Sequence, residues 1–372
     1  MRELTASSRF PSSSSADKAG LKGPMRYHYK NRSKWIGSPS GFVYFGGLYH
    51  IFFGTNPLYP RFGPLHIGHI VTEDFLDWEE RDIAVSPSDG DLVGIKPGCA
   101  FEADGRLWLF YTAESEGSEF INCAVSDDGN IFEDKKMEVN LLSPFEDKRY
   151  MRNPYVFEYE GKYKLIACAS DNGIGRVVIY DSDDLTDWEY KGITADIPAA
   201  SWSCGEMPEL FEEDGVWVMA IQTARAMPHK CLYATGDFDG YKFTPDSGFF
   251  ALETGSAIES PRSCLTPDGR RIQTAWMYDH RNNTACFTAP RRLMFDYKGH
   301  LVMLPAEEVE FIAKKMSPFV EYEAGRLNIR FENKTLMSVP YASEPEIRVL
   351  EDVGTLEIFI NGGREVLSLY IC

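Results

Sequence analysis

Apolar residues occur along the chain in short runs that often alternate with polar residues, and glycine-rich turns separate the runs. Five runs follow a glycine directly and are rich in aromatic and β-branched residues, as strands are. They are GLYHIFF at Gly47, GRLWLFY at Gly105, GKYKLIA at Gly161, GVWVMAI at Gly215 and GRRIQTA at Gly269, at intervals of 58, 56, 54 and 54 residues. A repeat of about 55 residues has room for four short strands, so each copy is predicted to form one propeller blade.

An acidic turn segment recurs in phase with these strands and supports the repeat. Its aspartates Asp74, Asp128, Asp184 and Asp237 are 54, 56 and 53 residues apart. Such turns resemble calcium loops, but Asp is also the residue that closes Asx turns, and turn capping is the expectation here. Five stacked blades enclose a central funnel, in which residues from distant sequence positions are expected to converge.

The pattern changes after residue 304. The segment PAEEVEFIAKK (305–315) is predicted to be helical, and alternating runs follow at 326–332, 346–351, 355–361 and 364–371. Asn361-Gly362-Gly363, between the last two runs, predicts a hairpin. The chain is therefore predicted to be all-β, with a five-bladed β-propeller followed by a small β-sandwich-like appendage. The predicted boundaries are a disordered Ser-rich tail (1–24), the propeller (25–304), a linker helix (305–316) and a truncated β-sandwich (317–372).

Composition and charge exclude several classes of function. The 56 acidic and 38 basic residues give a net charge of −18, which disfavours binding to nucleic acid or to a membrane surface. No apolar run is long enough for a transmembrane helix, and residues 1–24 contain no signal-like apolar stretch, so a cytoplasmic protein is expected; Met25 is an alternative start. The eight cysteines show no metal-ligand spacing and are predicted to be reduced core residues. No nucleotide-binding or serine-hydrolase motif is present, and neither a metal nor a cofactor is predicted.

Four segments carry a specific resemblance to a known family. Residues 27–57 read YHYKNRSKWIGSPSGFVYFGGLYHIFFGTNP, and they are followed by HIGHIVTEDFLDW (66–78), MRNPYVFEYEGKYKL (151–165) and SWSCGEMPELFEEDGVWVMA (201–220). In order and spacing these segments resemble glycoside hydrolase family 32, the group of invertases, inulinases and levanases. The resemblance covers roughly residues 25–312 and resumes at 346–372. It implies a five-bladed propeller followed by a β-sandwich, and cleavage of β-fructofuranosidic bonds with retention of configuration.

The family's chemistry uses a carboxylate nucleophile, a glutamic acid/base and an aspartate that holds sugar hydroxyls. The resemblance places the acid/base at Glu206, with Met207 in place of the family's Cys. Ser38 occupies the nucleophile position and Asn153 the stabiliser position, so two of the three acids are replaced. Because a serine hydroxyl has no anionic oxygen and no neighbour in sequence (Trp35, Ile36, Gly37) offers a base to activate it, the standard retaining mechanism is not expected.

The expected ligand is a small carbohydrate or oligosaccharide. Trp35, Arg152, Lys96, Arg262 and Glu259 are the predicted substrate-binding residues. The three cations among them suggest an anionic sugar, unless each pairs with a neighbouring acid.

Two functions of different classes remain open at this stage. One is a glycosidase in which Glu259, Asp171 or Asp91 activates water for an inverting route. The other is a carbohydrate-binding propeller without turnover. A purely structural role is a third interpretation. The second acid that would decide between the first two has no signature in the sequence.

Overall fold

The computed structural model describes residues 25–31, 33–88, 94–197, 205–223, 230–255, 257–279 and 282–371. The predicted disordered tail and the candidate base Asp91 lie outside the described residues. Within them the chain is almost entirely β-strand, as the alternating pattern predicts.

The strands up to residue 305 form five antiparallel sheets, and in each sheet the strands are paired largely in sequence order. The first sheet contains β1 (Trp35–Phe45), β2 (Leu48–Asn56), β3 (His66–Thr72) and β4 (Glu79–Glu80); the second contains β5 (Gly94–Ala103), β6 (Arg106–Ser115), β7 (Ser118–Ser126) and β8 (Glu133–Leu142). The third contains β9 (Met151–Tyr159), β10 (Lys162–Asp171), β11 (Ile174–Ser182) and β12 (Glu189–Asp196). The fourth contains β13 (Glu206–Glu213), β14 (Val216–Gln222), β15 (Cys231–Phe238), β16 (Phe243–Pro245) and β17 (Phe250–Ala251). The fifth contains β18 (Ile258–Leu265), β19 (Arg271–Asp279), β20 (Thr284–Phe287), β21 (Arg291–Phe295) and β22 (Leu301–Pro305).

The first strand of each sheet lies innermost and contacts its counterparts around a ring. β1 contacts β5, β5 contacts β9, β9 contacts β13 and β13 contacts β18, and β18 in turn contacts β1. The five sheets are therefore the five blades of a closed propeller, and the predicted fold is confirmed. Apolar clusters lie between neighbouring blades, because a blade cannot bury both of its faces alone.

The repeated glycines occupy the turn between the first and second strands of each blade. Gly161 has φ of +74° and follows Glu160 at +49°, so both residues of this turn are left-handed. A two-residue turn of this kind matches the twist of the strands it joins, and it requires a residue that tolerates positive φ. This requirement explains why the same residue type recurs at this place in every blade.

The repeated aspartates close Asx turns. Oδ1 of Asp184 accepts hydrogen bonds from the backbone N–H groups two and three residues further on, at 2.8 and 2.9 Å, and Asp74 and Asp128 make the same contacts. These N–H groups hold the pKa of Asp128 and Asp184 below the usual value. In the fourth blade the prediction that Asp237 closes this turn is wrong. Asp239 closes it instead, because its Oδ1 accepts hydrogen bonds from the backbone N–H groups of Tyr241 at 2.9 Å and Lys242 at 2.7 Å. Asp237 lies inside β15 with its side chain exposed.

Each innermost strand is bulged at a proline. The pairing of these strands with their neighbours shifts register around five positions: Pro39, Pro97, Pro154, Pro208 and Pro261. Proline has no N–H to donate to a sheet, and a bulge turns the adjacent side chains in a new direction. In three blades the strain is visible in the backbone, since Asn153, Met207 and Ser260 have φ of 54°, 54° and 51°.

Beyond the propeller the chain forms a short helix and two small sheets. α1 (Glu307–Glu310) is a single turn, shorter than the helix predicted at 305–315, and Phe311 after it is 76% exposed. The chain leaves the helix because Lys314 pairs as an extended residue with Val349. One sheet contains β23 (Val320–Glu323), β24 (Arg326–Phe331) and β25 (Lys334–Pro340), and the other contains β26 (Ile347–Asp352), β27 (Thr355–Ile360) and β28 (Glu365–Tyr370).

The two sheets share one apolar core, which includes Ile329, Ile358 and Leu367. Asn361 and the two glycines after it are all left-handed, as the predicted hairpin requires. Among the residues that the structure describes, no helix is long and apolar enough to cross a membrane.

A buried charge cluster joins the propeller to the appendage. His28 bonds through Nδ1 to Asp352 at 3.0 Å and through Nε2 to Glu357 at 2.6 Å. The guanidinium of Arg291, on β21, bonds to Glu357 at 2.9 Å and to Glu253 at 2.9 Å. The side chains of His28 and Arg291 have no exposed surface. These contacts connect five buried charged residues between the propeller and the appendage: His28, Glu253, Arg291, Asp352 and Glu357.

Candidate active site

A cavity of about 180 Å³ lies at the centre of the ring, where the innermost strands begin. Its lining includes the residue that precedes the bulge proline in every blade: Ser38, Lys96, Asn153, Met207 and Ser260. The remaining lining residues are Trp35, Gly37, Ser40, Gly54, Phe62, Leu65, Arg152 and Glu206. The fivefold repeat therefore brings one equivalent position from each blade to a single cavity. The motif residues Ser38, Asn153 and Glu206 line the same cavity, although they are far apart in sequence.

Glu206 is the first residue of β13, and two neighbours orient its carboxylate. Its Oε1 accepts a hydrogen bond from Nη1 of Arg152 at 3.2 Å, and its Oε2 accepts one from Nε2 of Gln222 at 3.2 Å. The amide oxygen of Gln222 accepts hydrogen bonds from the backbone N–H and the hydroxyl of Ser260. The Glu206 side chain is still 43% exposed, so it can reach both a ligand and solvent protons.

Neutral groups stand at the two positions where the resemblance places the family's other acids. Ser38 is half-buried. Asn153 is only 8% exposed, and its backbone N–H is held by the hydroxyl of Thr112 at 2.9 Å. Its side-chain oxygen is buried and has no hydrogen-bond partner, which is a costly state for a polar atom unless a ligand or water satisfies it. Among the described lining residues, Glu206 alone carries a carboxylate.

The two cations among the described lining residues, Lys96 and Arg152, are paired with acids. Arg152 makes a two-pronged contact with Glu119, in which Nε and Nη2 each lie 2.7 Å from a carboxylate oxygen. Lys96 lies 2.9 Å from Glu119 and 3.1 Å from Glu114. Sequence reasoning missed Glu119, because it is on β7, the third strand of its blade, and no motif surrounds it. Glu119 is paired with Glu114 in the sheet, so only the fold reveals that both reach Lys96.

Arg262 and Glu259 are not among the lining residues. Arg262 is 1% exposed and lies over the ring of Tyr155, and it donates hydrogen bonds to the carbonyl oxygens of Pro208 at 2.6 Å and Gly98 at 3.4 Å. These contacts favour a role in joining blades. Glu259 pairs with Lys230.

Asp171, which the sequence analysis names, and Ile67, in the motif at 66–78, also lie away from the cavity wall. The candidate base Asp171 lies 4.0 Å from Arg176 and does not line the cavity. Ile67 is fully buried in an apolar cluster between blades.

An aromatic wall closes one side of the cavity. The ring of Trp35 meets Phe62 edge-on at 5.2 Å and Trp276 at 5.8 Å. A β-carbon at Gly37 would lie 2.8 Å from the Trp35 ring, so glycine at this position lets the indole fold over its own strand. Aromatic faces of this kind pack against the apolar face of a sugar ring.

Chemically, the cavity offers one carboxylate for proton transfer, one buried amide oxygen, a hydroxyl and an aromatic face. Such groups can transfer a proton, accept hydrogen bonds from hydroxyl groups and pack against an apolar ring face.

The class of protein follows from comparison with known sequences and structures. Residues 28–305 match the sequence family described as "Glycosyl hydrolases family 32 N-terminal domain". Raffinose invertase of Escherichia coli is 30% identical over 335 residues, which cover 82% of this chain and 70% of that protein. Sucrose-6-phosphate hydrolase of Bacillus subtilis is 32% identical over 310 residues, which cover 74% of this chain and 63% of that protein. The chain thus belongs to glycosyl hydrolase family 32.

Solved structures agree with the fold. A mutant of the Bombyx mori family 32 β-fructofuranosidase in complex with sucrose has a TM-score of 0.79 at 21% identity, over 96% of this chain and 91% of that one. Sucrose-6-phosphate hydrolase from Lactobacillus gasseri has a TM-score of 0.80 at 21% identity, over 96% and 89% of the two chains. The chain spans 62% of the length of the sucrose-6-phosphate hydrolase of Zymomonas mobilis, so it is shorter than several of its curated relatives.

Proposed function

We propose that the chain binds a β-fructoside in the central cavity and hydrolyses it with Glu206 as the proton donor. The observation that supports this function is the shared cavity of Glu206, Asn153 and Ser38, the three positions where the resemblance places the family's acids. Membership of a family of fructoside hydrolases gives the substrate class. The orientation of Glu206 by Arg152 and Gln222 gives the proton donor a defined direction.

The reaction we propose has no covalent intermediate. Glu206 gives its proton to the leaving oxygen, and the bond between that oxygen and the anomeric carbon breaks with its electron pair on oxygen. A water molecule beside Ser38, in the space that a carboxylate would otherwise fill, bonds to the anomeric carbon from the opposite side. The water's surplus proton passes to solvent, and Glu206 takes a proton back from solvent. Water attack from the side opposite the leaving group inverts the configuration.

Turnover is expected to be slow, because no carboxylate lies ready to stabilise the positive charge that develops on the sugar. Loss of a covalent nucleophile costs on the order of 10⁴–10⁶ in rate in well-studied hydrolases. The unpartnered oxygen of Asn153 offsets part of this loss, since it accepts a hydrogen bond from a sugar hydroxyl in our scheme.

The test is the anomeric form of the first product. Purified protein is incubated with sucrose or inulin, and the released fructose is followed by NMR before it mutarotates. We expect the inverted anomer, and we expect Glu206→Gln to lower the rate by roughly 10²–10⁴ because a general acid typically contributes that much. Gln222→Leu is the matched control, since it removes one hydrogen bond to Glu206 and leaves the acid in place. Retention of configuration, or an unchanged rate in Glu206→Gln, would contradict the mechanism.

A second candidate function is a carbohydrate-binding propeller without turnover. It is favoured by the fact that Glu206 is the one acid among the described lining residues. In that case calorimetry would detect fructose or sucrose binding, product would not accumulate over long incubation, and Glu206→Gln would bind as the wild type does.

A further inference from the structure

The charged residues at the cavity form ion pairs with one another. Two cations, Lys96 and Arg152, reach the wall, and three carboxylates neutralise them. Glu119 contacts both cations, Glu114 contacts Lys96, and Glu206 contacts Arg152. Two positive charges against three negative charges leave the group with one net negative charge when all five are ionised, and with no net charge when Glu206 carries the proton that it donates. An incoming anion therefore meets no uncompensated positive charge from this group.

Glu119 is the centre of this arrangement. Its side chain is 4% exposed, while those of Lys96 and Glu114 are 30% and 33% exposed. The two 2.7 Å contacts to Arg152 have the fork geometry with which arginine also binds phosphate. A phosphate group that used these donors would have to displace Glu119. The displaced carboxylate would then be buried without its partners, which is a strongly unfavourable state.

We infer that Glu119 is a specificity-determining residue that makes the cavity accept an uncharged sugar and reject a phosphorylated one. The inference rests on the proposed function, because it assumes that a sugar binds in this cavity. It separates this chain from relatives whose names refer to sucrose 6-phosphate. It also reverses the expectation that the cations of the site indicate an anionic ligand.

The experiment compares the binding of non-hydrolysable ligands to the wild type and to variants of the full chain. Fructose, fructose 6-phosphate and inorganic phosphate are titrated by isothermal calorimetry at low salt. In the wild type, we expect fructose to bind at least tenfold more tightly than fructose 6-phosphate. Glu119→Gln is expected to raise affinity for fructose 6-phosphate by roughly tenfold or more, since one unit charge acts over a few ångströms at an effective dielectric constant of about 20. Its affinity for fructose is expected to change by less than about threefold, because no uncharged ligand gains from the exposed cations.

Two matched variants separate specificity from general damage. Glu119→Asp keeps the charge and is expected to restore the wild-type preference for fructose. Glu114→Gln removes an equal charge from a more exposed position, so its gain in phosphate affinity is expected to be only two- to threefold, in line with stronger solvent screening. Circular dichroism and the urea midpoint show whether each variant is folded.

Each outcome bears on one of the two proposals. Tighter binding of fructose 6-phosphate than of fructose to the wild type would overturn the inference, and so would a Glu114→Gln gain as large as that of Glu119→Gln. If the wild type binds fructose but Glu119→Gln gains no affinity for the phosphorylated sugar, the inference fails and the proposed function stands. If the wild type binds no fructose while Glu119→Gln binds phosphate, the charge argument holds and the proposed sugar site is wrong.

Discussion

Replacement of Arg291 by methionine is the sharpest test of how the propeller holds its appendage. Arg291 is completely buried and bonds to Glu357 on β27 at 2.9 Å and to Glu253 at 2.9 Å. It also donates to the hydroxyl of Ser368 on β28 at 2.5 Å. Burial lowers the pKa of this guanidinium, but the charges of Glu357 and Glu253 outweigh burial and raise it, so it remains charged. Methionine fills a similar volume, but it leaves buried Glu253 without the guanidinium that it contacts, and Glu357 with His28 as its cationic partner.

The expected loss of unfolding free energy is about 3–5 kcal/mol, the range found when one partner of a buried ion pair is removed. Arg292 is the matched control on the same strand. Its side chain is 36% exposed and its partner Glu307 is 62% exposed, so Arg292→Met is expected to cost less than about 1 kcal/mol. A triple variant, Arg291→Met with Glu253→Gln and Glu357→Gln, is expected to recover about half or more of the loss, because no buried charge is then left unpaired.

The assay is urea denaturation of the full chain, followed by far-ultraviolet circular dichroism and by tryptophan fluorescence. The reasoning is refuted if Arg291→Met loses no more stability than Arg292→Met. It is also refuted if the triple variant is less stable than the single one, since the cost would then come from packing and not from uncompensated charge.

Two further predictions concern pH and the replaced acids. Burial alone would lower the pKa of His28, but its hydrogen bonds to Asp352 and Glu357 raise it to about 9, so its contribution to stability is complete below the usual value of 6.5 and is lost as pH rises through 9. The urea midpoint should therefore fall between these pH values in the wild type, and His28→Gln should flatten that fall; a wild-type midpoint that stays constant up to pH 9 would contradict the assignment. The double variant Ser38→Asp with Asn153→Asp is expected to stay far below invertase-like turnover on sucrose, because it adds two negative charges to a site that already carries Glu206 and Glu119 and because Gly54 offers no side chain to a sugar hydroxyl. Full activity in that variant would show that loss of the acids alone separates this chain from its relatives.

The fold was predictable because its signals are repeated. A single glycine before a strand carries little information, but five at nearly equal intervals specify the number of blades, and each proves to be a turn residue. The errors occur where a signal stands alone. Asp237 and Asp239 both fit the acidic turn of the fourth blade, and only hydrogen bonding distinguishes them. The predicted linker helix has helical spacing over eleven residues, yet the pairing of Lys314 with Val349 limits it to one turn.

The site was predictable only where it belongs to the repeat. Ser38 and Asn153 directly precede a bulge proline, and Glu206 lies two residues before one. The prolines themselves, at 39, 97, 154, 208 and 261, form a fivefold series that was not part of the prediction. Arg262 follows the last of them, but its side chain points into the wall and binds carbonyl oxygens. The direction in which a side chain points from a bulge depends on the local backbone angles, and a sequence motif does not specify these angles.

The same geometry explains how a site can change its chemistry while the fold is retained. Each blade contributes one residue before its bulge proline to the cavity, and that position is set by the pairing of the innermost strand with its neighbour. Replacement of an acid at such a position removes a charge from the cavity and leaves the sheet hydrogen bonds in place. Glu119 differs, because it is on a third strand and acts through Arg152 and Lys96. The residues before the bulge prolines and the charged residues around Glu119 can therefore change independently. We expect the charges around Glu119 to decide which sugars this chain accepts.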